Sequence, residues 1–400
     1  MAESYKILGQ INPVDTQEYL LYKSPASTQA IVTNITATNL SSSPQTFDVN
    51  VYNSALTSSN LAAVPTSMYV ALSANTSASY STDGVTWSVS TLPTTGWTTA
   101  AYGNGKFVAF TSGTSAAYSI NGSTWTLTTM PTTGWFTSVY GNSTFVATVT
   151  VGTSAATSTD GINWTLRTLP ASAQWRATTY GNGVFVSVST STTAATSTDG
   201  ITWTLRTLPS SSYWYGVAYG NGVFVTVGNG TPNAASSTDG ITWTARTLST
   251  TANWEQIAFG NGVFVTPARL SGLASYSTNG ITWATSTISA GAQFANITFG
   301  NGKFVVAYGD SSAGTSAAVS TNGITWTINT FPVAIGAAVA YGVASVPYAS
   351  PAVNNVYKTA TIQANTSEVL EPGIVLAPNN TLVVRGSSTM AFSAYGVELS

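Results

Sequence analysis

A seven-residue segment that ends in tryptophan recurs along the middle of the chain at nearly constant spacing. Its first copy reads STDGVTW, and later copies keep a Gly after Asp or Asn; we call it the STDG motif. Its seven copies end at Trp87, Trp125, Trp164, Trp203, Trp243, Trp283 and Trp326, with successive spacings of 38 to 43 residues. A period of about 40 residues indicates a repeat architecture in which each unit is one supersecondary element.

A second motif, which we call the YGNG motif, lies between successive STDG motifs. It begins with YGNGKF at residues 102–107, and an aromatic residue stands five positions before each of its six copies. Asn-Gly is the strongest signal for a two-residue hairpin, because both positions accept positive φ. We interpret the Asp-Gly or Asn-Gly of the STDG motif as a second turn of the same kind. Two hairpins per repeat predict four antiparallel strands, as in a β-propeller blade. A β-solenoid is the alternative, but its repeats are usually shorter.

The two ends of the repeat region complement each other. The segment SMYVALS at 67–73 matches the second strand of a repeat but has no first strand ahead of it. The segment AIGAAVAYG at 334–342 matches a first strand and then stops. We therefore predict a ring of seven blades, closed by pairing of these two segments so that no sheet edge is left open.

Residues 1–57 and 352–400 contain no repeat, but both read as short strands separated by turns. Each piece alone is too short to bury much of a core, whereas about one hundred residues suffice for a β-sandwich. The predicted fold is therefore all-β, with a seven-bladed β-propeller at 58–351 inserted into a jelly-roll-like β-sandwich made from 1–57 and 352–400.

The composition excludes several functional classes. Only 6% of the residues are charged, the net charge is −2, and the chain has no Cys and no His. Disulfides, thiol nucleophiles, imidazole bases and the usual zinc sites are therefore absent, and we expect no metal and no cofactor. The few Lys and Arg are too scattered for nucleic-acid binding. No run approaches the ~20 apolar residues of a membrane span, and no secretory signal is visible.

The acidic or amide residue of each STDG motif is expected to be structural. An Asp or Asn side chain at a turn can accept hydrogen bonds from backbone N–H groups of its own loop. Asn in three copies argues against an acid or metal role. The seven positions are Asp83, Asn121, Asp160, Asp199, Asp239, Asn279 and Asn322.

The candidate ligand contacts are aromatic residues on the face opposite the tight turns. Loop length varies mainly between the second and third strands, with the longer loops around 228–233 and 267–272. The aromatic residues ahead of the YGNG motifs lie on this face, where they could stack on sugars. The alternative is that they wedge between blades, which identical positions in consecutive repeats favour. The candidates are Trp97, Trp135, Trp175, Trp214, Trp254 and Arg269, with Trp214, Trp254 and Arg269 leading.

Catalysis is not expected. Sialidase-like hydrolysis needs a cluster of arginines, but Arg167, Arg206 and Arg246 occupy equivalent positions at the rim. Only two other arginines remain in the repeat region. A glycosidase needs a pair of carboxylates, and the acidic residues outside the STDG motifs there are Glu255 and Asp310. We therefore predict that the protein is not an enzyme.

The pattern S-x-D-G-x-T-W resembles the Asp-box, or BNR, repeat of sialidases and other propellers, although it lacks one residue between Asp and Gly. In that family the box is a folding motif remote from the active site, so the resemblance implies no catalytic role. The segments KILGQ, LLYKSPASTQAIVTNITATNLSS and GIVLAPNNTLVVRGSSTMAFSAYGVEL resemble a module of bacteriophage tail fibres and capsid decoration proteins.

This second resemblance implies a function. It leads us to expect a virion surface protein whose sandwich docks on other virion proteins and whose propeller is displayed for binding a host-surface glycan. A homo-oligomer, with a trimer favoured, is expected by analogy with virion fittings. The alternative is a secreted or cell-surface bacterial lectin or adhesin, and a sialidase-like glycoside hydrolase is less favoured.

Overall fold

The computed structural model describes residues 6–11, 18–23, 29–39, 45–52, 64–289, 294–308, 314–346, 353–362, 367–370, 374–376, 381–385 and 390–399. Side chains are described for 67–289, 296–307 and 315–343. Every regular element in these ranges is a β-strand. The chain divides into two compact units, one made of Met1–Pro65 with Ser345–Ser400 and the other of Thr66–Ala344. The unit Thr66–Ala344 is shorter at both ends than the propeller domain predicted from the sequence, 58–351.

The strands fall into three runs along the chain. The first run is β1 (Lys6–Ile11), β2 (Glu18–Lys23), β3 (Gln29–Asn39) and β4 (Gln45–Tyr52). The second run is β5 (Val64–Leu72), β6 (Ser77–Ser81), β7 (Ser88–Thr91), β8 (Trp97–Gly103), β9 (Lys106–Thr111), β10 (Ser115–Ser119), β11 (Thr126–Thr129), β12 (Trp135–Gly141), β13 (Thr144–Val149), β14 (Gly152–Ser158), β15 (Thr165–Ala173), β16 (Trp175–Gly181), β17 (Val184–Ser189), β18 (Thr193–Ser197), β19 (Thr204–Thr207), β20 (Trp214–Gly220), β21 (Val223–Ser237), β22 (Thr244–Trp254), β23 (Ala258–Gly260), β24 (Val263–Arg269), β25 (Leu273–Ser277), β26 (Ala284–Thr287), β27 (Phe294–Gly300), β28 (Lys303–Tyr308), β29 (Gly314–Ser320), β30 (Thr327–Ile335) and β31 (Ala338–Val346). The third run is β32 (Val353–Ile362), β33 (Ser367–Leu370), β34 (Ile374–Leu376), β35 (Thr381–Arg385) and β36 (Met390–Leu399).

The unit made from the two chain ends contains two antiparallel sheets. One has the order β1-β36-β3-β33, with β34 also paired to β3, and the other has the order β2-β35-β4-β32. The longest ladder joins β3 to β36, from the pair Gln29–Leu399 to the pair Asn39–Met390. Both sheets mix strands from the first and third runs, so neither chain end completes a sheet without the other.

In the other unit, four repeats each form four antiparallel strands that pair in chain order. Sheets of this kind are β8–β11, β12–β15, β16–β19 and β27–β30. Two further repeats are joined into one seven-stranded sheet, because the long strand β22 also pairs with β24 through Asn253–Arg269 and Trp254–Ala268. The last sheet has the order β31-β5-β6-β7. The predicted pairing between the two end segments is therefore present.

The YGNG motif forms the expected hairpin turn. Asn104 has φ 44° and Gly105 has φ 72°, and the later copies keep a positive φ at both positions. Positive φ at both central residues is the type I′ geometry, which matches the twist of the flanking strands. In the second copy Ser143 adopts φ 57° at the position where other copies have Gly.

The prediction that the STDG motif forms a two-residue hairpin turn of the same kind as the YGNG motif is wrong. In this motif only the Gly has positive φ, for example 74° at Gly84, while the preceding Asp does not. The loop is wider than a two-residue turn because side chains of the motif, described below, satisfy its backbone N–H groups. It joins the third strand of each repeat to the fourth.

Neighbouring repeats pack through the first two residues of the YGNG motif. Its first Gly lies against the aromatic ring of the equivalent motif position in the next repeat, so closely that a Cβ there would overlap the ring. The pairs are Gly103–Tyr140, Gly141–Tyr180, Gly181–Tyr219, Gly220–Phe259, Gly260–Phe299, Gly300–Tyr341 and Gly342–Tyr102. The last pair returns to the first repeat, so the contacts form a closed cycle.

The apolar core lies between adjacent sheets. One cluster joins Phe110 and Ala116 of one repeat to Trp135 and Phe145 of the next, and all four are buried. The second strand supplies a fully buried Phe in six repeats and the fully buried Tyr69 in β5, whereas the third strand supplies Ala. Large residues facing small ones allow successive sheets to interdigitate at the packing density of a protein interior.

Candidate functional site

The seven Asp or Asn residues of the STDG motif hold their own loops. At Asp83, Oδ1 accepts hydrogen bonds from the backbone N–H of Val85 and Thr86, both at 2.7 Å. The Ser81 hydroxyl donates to the same oxygen at 2.9 Å and accepts from the backbone N–H of Gly84. The equivalent contacts are made by Asn121, Asp160, Asp199, Asp239, Asn279 and Asn322.

These hydrogen bonds also fix the charge of the four aspartates. Burial is the largest single influence on Asp83, Asp160 and Asp199 and opposes ionisation, but the backbone and serine hydrogen bonds together outweigh it. At Asp239 the hydrogen bond from the Thr242 amide is the largest influence. The pKa of each of these carboxyl groups is therefore lowered. Carboxyl groups with a lowered pKa are ionised at neutral pH and are therefore poor proton donors.

The tryptophans proposed as a sugar platform are in the interior. Trp97 is 2% exposed, and Trp135, Trp175, Trp214 and Trp254 are 0% exposed. Each indole N–H donates to a nearby backbone carbonyl, as Trp97 does to Thr94 at 2.7 Å. A sugar cannot stack on a ring that has no exposed face. The sugar-binding interpretation of these five rings is corrected to the packing alternative.

A cavity of about 540 Å³ lies beside these buried rings. It is lined by the three residues that follow the aromatic position in successive repeats, beginning with Thr98, Thr99 and Ala100. Alternate residues of a strand point to opposite sides. The ladder to the second strand shifts register directly after the Trp, as between Trp97 and Thr99, so this alternation is interrupted where the strand lines the cavity. The volume is within the roughly 300–1,000 Å³ of typical small-molecule sites.

The wall of the cavity varies most in size and charge between repeats at the residue directly after the aromatic position. This residue is Phe136, Arg176, Tyr215 and Glu255 in four consecutive repeats, but Thr98 in the first. These four side chains are large and either charged or aromatic. Sequence reasoning missed this position although the signal was present, because these strands vary between their aromatic start and their repeated aromatic-Gly end.

Arg176 is held between two aromatic rings. Its guanidinium carbon lies 5.2 Å from the ring centre of Phe136 and 4.9 Å from that of Tyr215, which come from the preceding and following repeats. Its terminal nitrogens donate to Thr150 Oγ1 at 3.2 Å and Gln174 Oε1 at 3.3 Å. Both partners are neutral, and within the described part of the chain the buried Nε of Arg176 has no hydrogen-bond partner.

The predicted candidate Arg269 also lines the cavity, where it pairs with Glu255. Their side chains are 33% and 18% exposed and are joined by an ion pair of 3.2 Å between Nη1 and Oε1. Asn229 donates to the same carboxylate oxygen at 3.2 Å. Asn229 belongs to the segment 228–233 that was predicted to be a longer loop, but the structure places this segment within β21. Asp310 lies outside the described residues.

The rest of the lining is uncharged and hydrogen-bonded between repeats. Thr99 and Ser138 share a hydrogen bond of 3.2 Å, and Gln256 donates to Asn296 at 3.0 Å. Of the described lining residues, Glu255 alone is a carboxylate. The described part of the cavity therefore offers hydroxyl and amide groups but no carboxylate pair of the kind used in glycoside hydrolysis.

The described residues contain no group of three or more His, Cys, Asp or Glu side chains placed to hold a metal ion. The same residues contain no helix long and apolar enough to cross a membrane.

Comparisons with known proteins identify the fold only. No protein-family model matches the chain, and no curated protein sequence matches it. A streptogramin B lyase structure is 13% identical, with a TM-score of 0.55 over 73% of this chain and 94% of that chain. Virginiamycin B lyase from Staphylococcus aureus is 15% identical, with a TM-score of 0.53 over 66% of this chain and 96% of that chain. The WD40 beta propeller domain of Doa1 is 13% identical, with a TM-score of 0.46 over 75% of this chain and 92% of that chain. The all-β, propeller-like fold is thus shared with proteins of other functions.

Proposed function

We propose that this chain is a non-enzymatic binding protein of a bacteriophage virion surface. In this proposal a β-sandwich made from both chain ends docks on other virion proteins. A seven-bladed propeller inserted into it presents its central cavity to a host-surface glycan. The observation that carries the binding role is the cavity of about 540 Å³, whose lining varies while the surrounding scaffold repeats.

The sheet order supports a seven-bladed, inserted propeller. The seven Gly–aromatic contacts form one closed cycle, as seven equivalent blades would. The ring is closed by the neighbouring strands β31 and β5, so the chain enters and leaves this unit side by side. Insertion of such a domain into a surface loop is tolerated, because closure entropy rises slowly with loop length.

The cavity chemistry favours binding over catalysis. Its single described carboxylate, that of Glu255, is engaged by Arg269 and Asn229. The chain has no His or Cys to act as base or nucleophile. Two of the similar structures are lyases, but likeness at 13–15% identity transfers no activity.

The virion role rests on the resemblance of the end segments to phage tail-fibre and capsid decoration modules. A secreted or cell-surface bacterial adhesin would have the same kind of cavity. The two are separated by asking where the chain is found: peptides of this protein in purified phage particles support the virion role, and their presence only in bacterial envelopes overturns it.

The binding role is tested with a glycan array and one pair of variants. Tyr215 lines the cavity, whereas Tyr213 is 59% exposed and is not a lining residue. We expect Tyr215→Ala to lower the array signal and Tyr213→Ala to leave it unchanged, with both variants melting close to the wild type. An equal loss in both variants, or no array signal from the wild type, would contradict the proposal.

A further inference from the structure

Arg176 carries a positive charge for which the described lining provides no counter-charge. The lining contains two arginines and one carboxylate, and that carboxylate is engaged by Arg269. The two hydrogen-bond acceptors of Arg176 are a hydroxyl and an amide oxygen. In a chain with only 6% charged residues, a cation at a cavity wall with neutral partners is unusual.

The guanidinium group is also held in a fixed position. Stacking between Phe136 and Tyr215 restricts it from both sides, which reduces the entropy that a ligand would have to remove. A guanidinium group has five N–H donors. Two are used by Thr150 and Gln174. Of the other three, the Nε–H is buried, so one N–H on each terminal nitrogen is left. These two lie in the plane of the group, in the paired geometry that a carboxylate accepts.

We propose that the cavity binds an acidic saccharide, with Arg176 as the residue that receives the carboxylate of a uronate unit. This inference rests on the proposed function and specifies its ligand class. The hydroxyl and amide groups of Thr99, Ser138 and Gln256 provide neutral partners for the sugar hydroxyls. A partly enclosed site strengthens the charge-assisted hydrogen bond relative to one in water.

The test compares one ligand with and without its charge. The probes are a trisaccharide that contains one glucuronate and the methyl ester of the same trisaccharide, titrated calorimetrically into the full chain. We expect the acid to bind about tenfold or more tightly than the ester, as loss of a charge-assisted hydrogen bond predicts. This comparison needs no variant and so does not depend on how a mutant folds.

Variants then assign the charge to Arg176. Arg176→Gln should remove the preference for the acid, because it should lower the affinity for the acid more than the affinity for the ester. Arg206→Gln is the matched control, because Arg206 lies on the outer strand β19, donates to Thr196 Oγ1 and does not line the cavity. It should leave both affinities unchanged. Arg176→Lys should bind the acid with intermediate affinity, because Lys keeps the charge but not the planar donors.

Each other outcome identifies what has failed. The acid and the ester could bind equally while Tyr215→Ala, but not Tyr213→Ala, lowers the glycan-array signal. That result overturns this inference but leaves the glycan-binding proposal standing. Tighter binding of a poly-glutamate peptide than of the acidic trisaccharide also overturns the inference, because the cavity would then select a peptide. Failure of both saccharides to bind, together with an empty array, overturns the proposed function itself.

Discussion

Gly342 lies against the aromatic ring of Tyr102, so β31 packs on β8. The hydroxyl of Tyr102 donates a hydrogen bond to the carbonyl of Val343, the residue after that glycine. One aromatic side chain thus joins two segments that are 240 residues apart in sequence. The position accepts only Gly, because a Cβ would overlap the ring.

Gly342→Ala should therefore open the contact between the ends of the repeat region. Overpacking of this kind costs about 1–3 kcal/mol, and a rigid aromatic ring on a strand has little room to move. We expect a lower free energy of unfolding in urea and a lower melting temperature. Gly113→Ala is the control, because its Cβ would make only an ordinary contact of 3.5 Å with Thr111 Oγ1. Equal stability of the two variants would show that the Gly342–Tyr102 contact is not needed.

Trp214 offers a test of the packing role assigned to the buried tryptophans. Its side chain is 0% exposed and packs with Val188, Leu208 and Phe224 between two repeats. We expect Trp214→Ala to lower the free energy of unfolding by about 3–5 kcal/mol, the usual cost of truncating a buried aromatic residue. Leu205→Ala, at a side chain that is 50% exposed, should change it by less than about 0.5 kcal/mol. A Trp214→Ala protein as stable as the wild type would contradict the packing role.

The sequence was informative wherever one local rule decided the structure. Asn-Gly predicted the hairpin at Asn104 because few other pairs accept positive φ twice. The end segments predicted the pairing of β31 with β5 because each matched one missing strand. Both inferences depend on the repeats, because the same sequence signal recurs in several copies.

The cavity was harder to predict because it depends on which side of a strand each residue faces. Trp175 and Arg176 are neighbours in sequence, yet the indole is fully buried and the guanidinium lines the cavity. A period of two does not describe this part of the strand, because the register shifts between Trp175 and Ala177. Such an irregularity depends on the pairing with the next strand, which the sequence does not show. The STDG turn was mistaken in type because the Ser81 and Asp83 hydrogen bonds come from side chains, which the Asp-Gly signal does not show.

Ser143 is the exception among the hairpin turns, and it predicts an easy gain in stability. It adopts φ 57° where Gly183 has φ 76°, and left-handed backbone costs a non-glycine residue roughly 1–2 kcal/mol. Ser143→Gly removes this strain but adds freedom to the unfolded chain, so we expect a net gain of about 0.5 kcal/mol. Gly183→Ser should have the opposite sign, since nothing within 4 Å would stop the new side chain but the φ would strain it. Thermal unfolding of both variants measures the pair, and shifts of the same sign would contradict the argument.

The aspartates of the STDG loops predict how stability depends on pH. The pKa of Asp83, Asp160, Asp199 and Asp239 is lowered by loop hydrogen bonds. A folded pKa below the unfolded value of ~3.9 contributes stability that is fully present above that value and is lost as the pH falls towards the folded pKa. We therefore expect the free energy of unfolding in urea to fall steeply below about pH 4. Replacing all four by Asn, which three natural loops already carry, should make this fall shallower. The reciprocal change Asn121→Asp adds one titrating loop and should make it steeper. If the wild type, the fourfold variant and Asn121→Asp all show the same pH dependence, the loop carboxylates do not stabilise the fold through their charge.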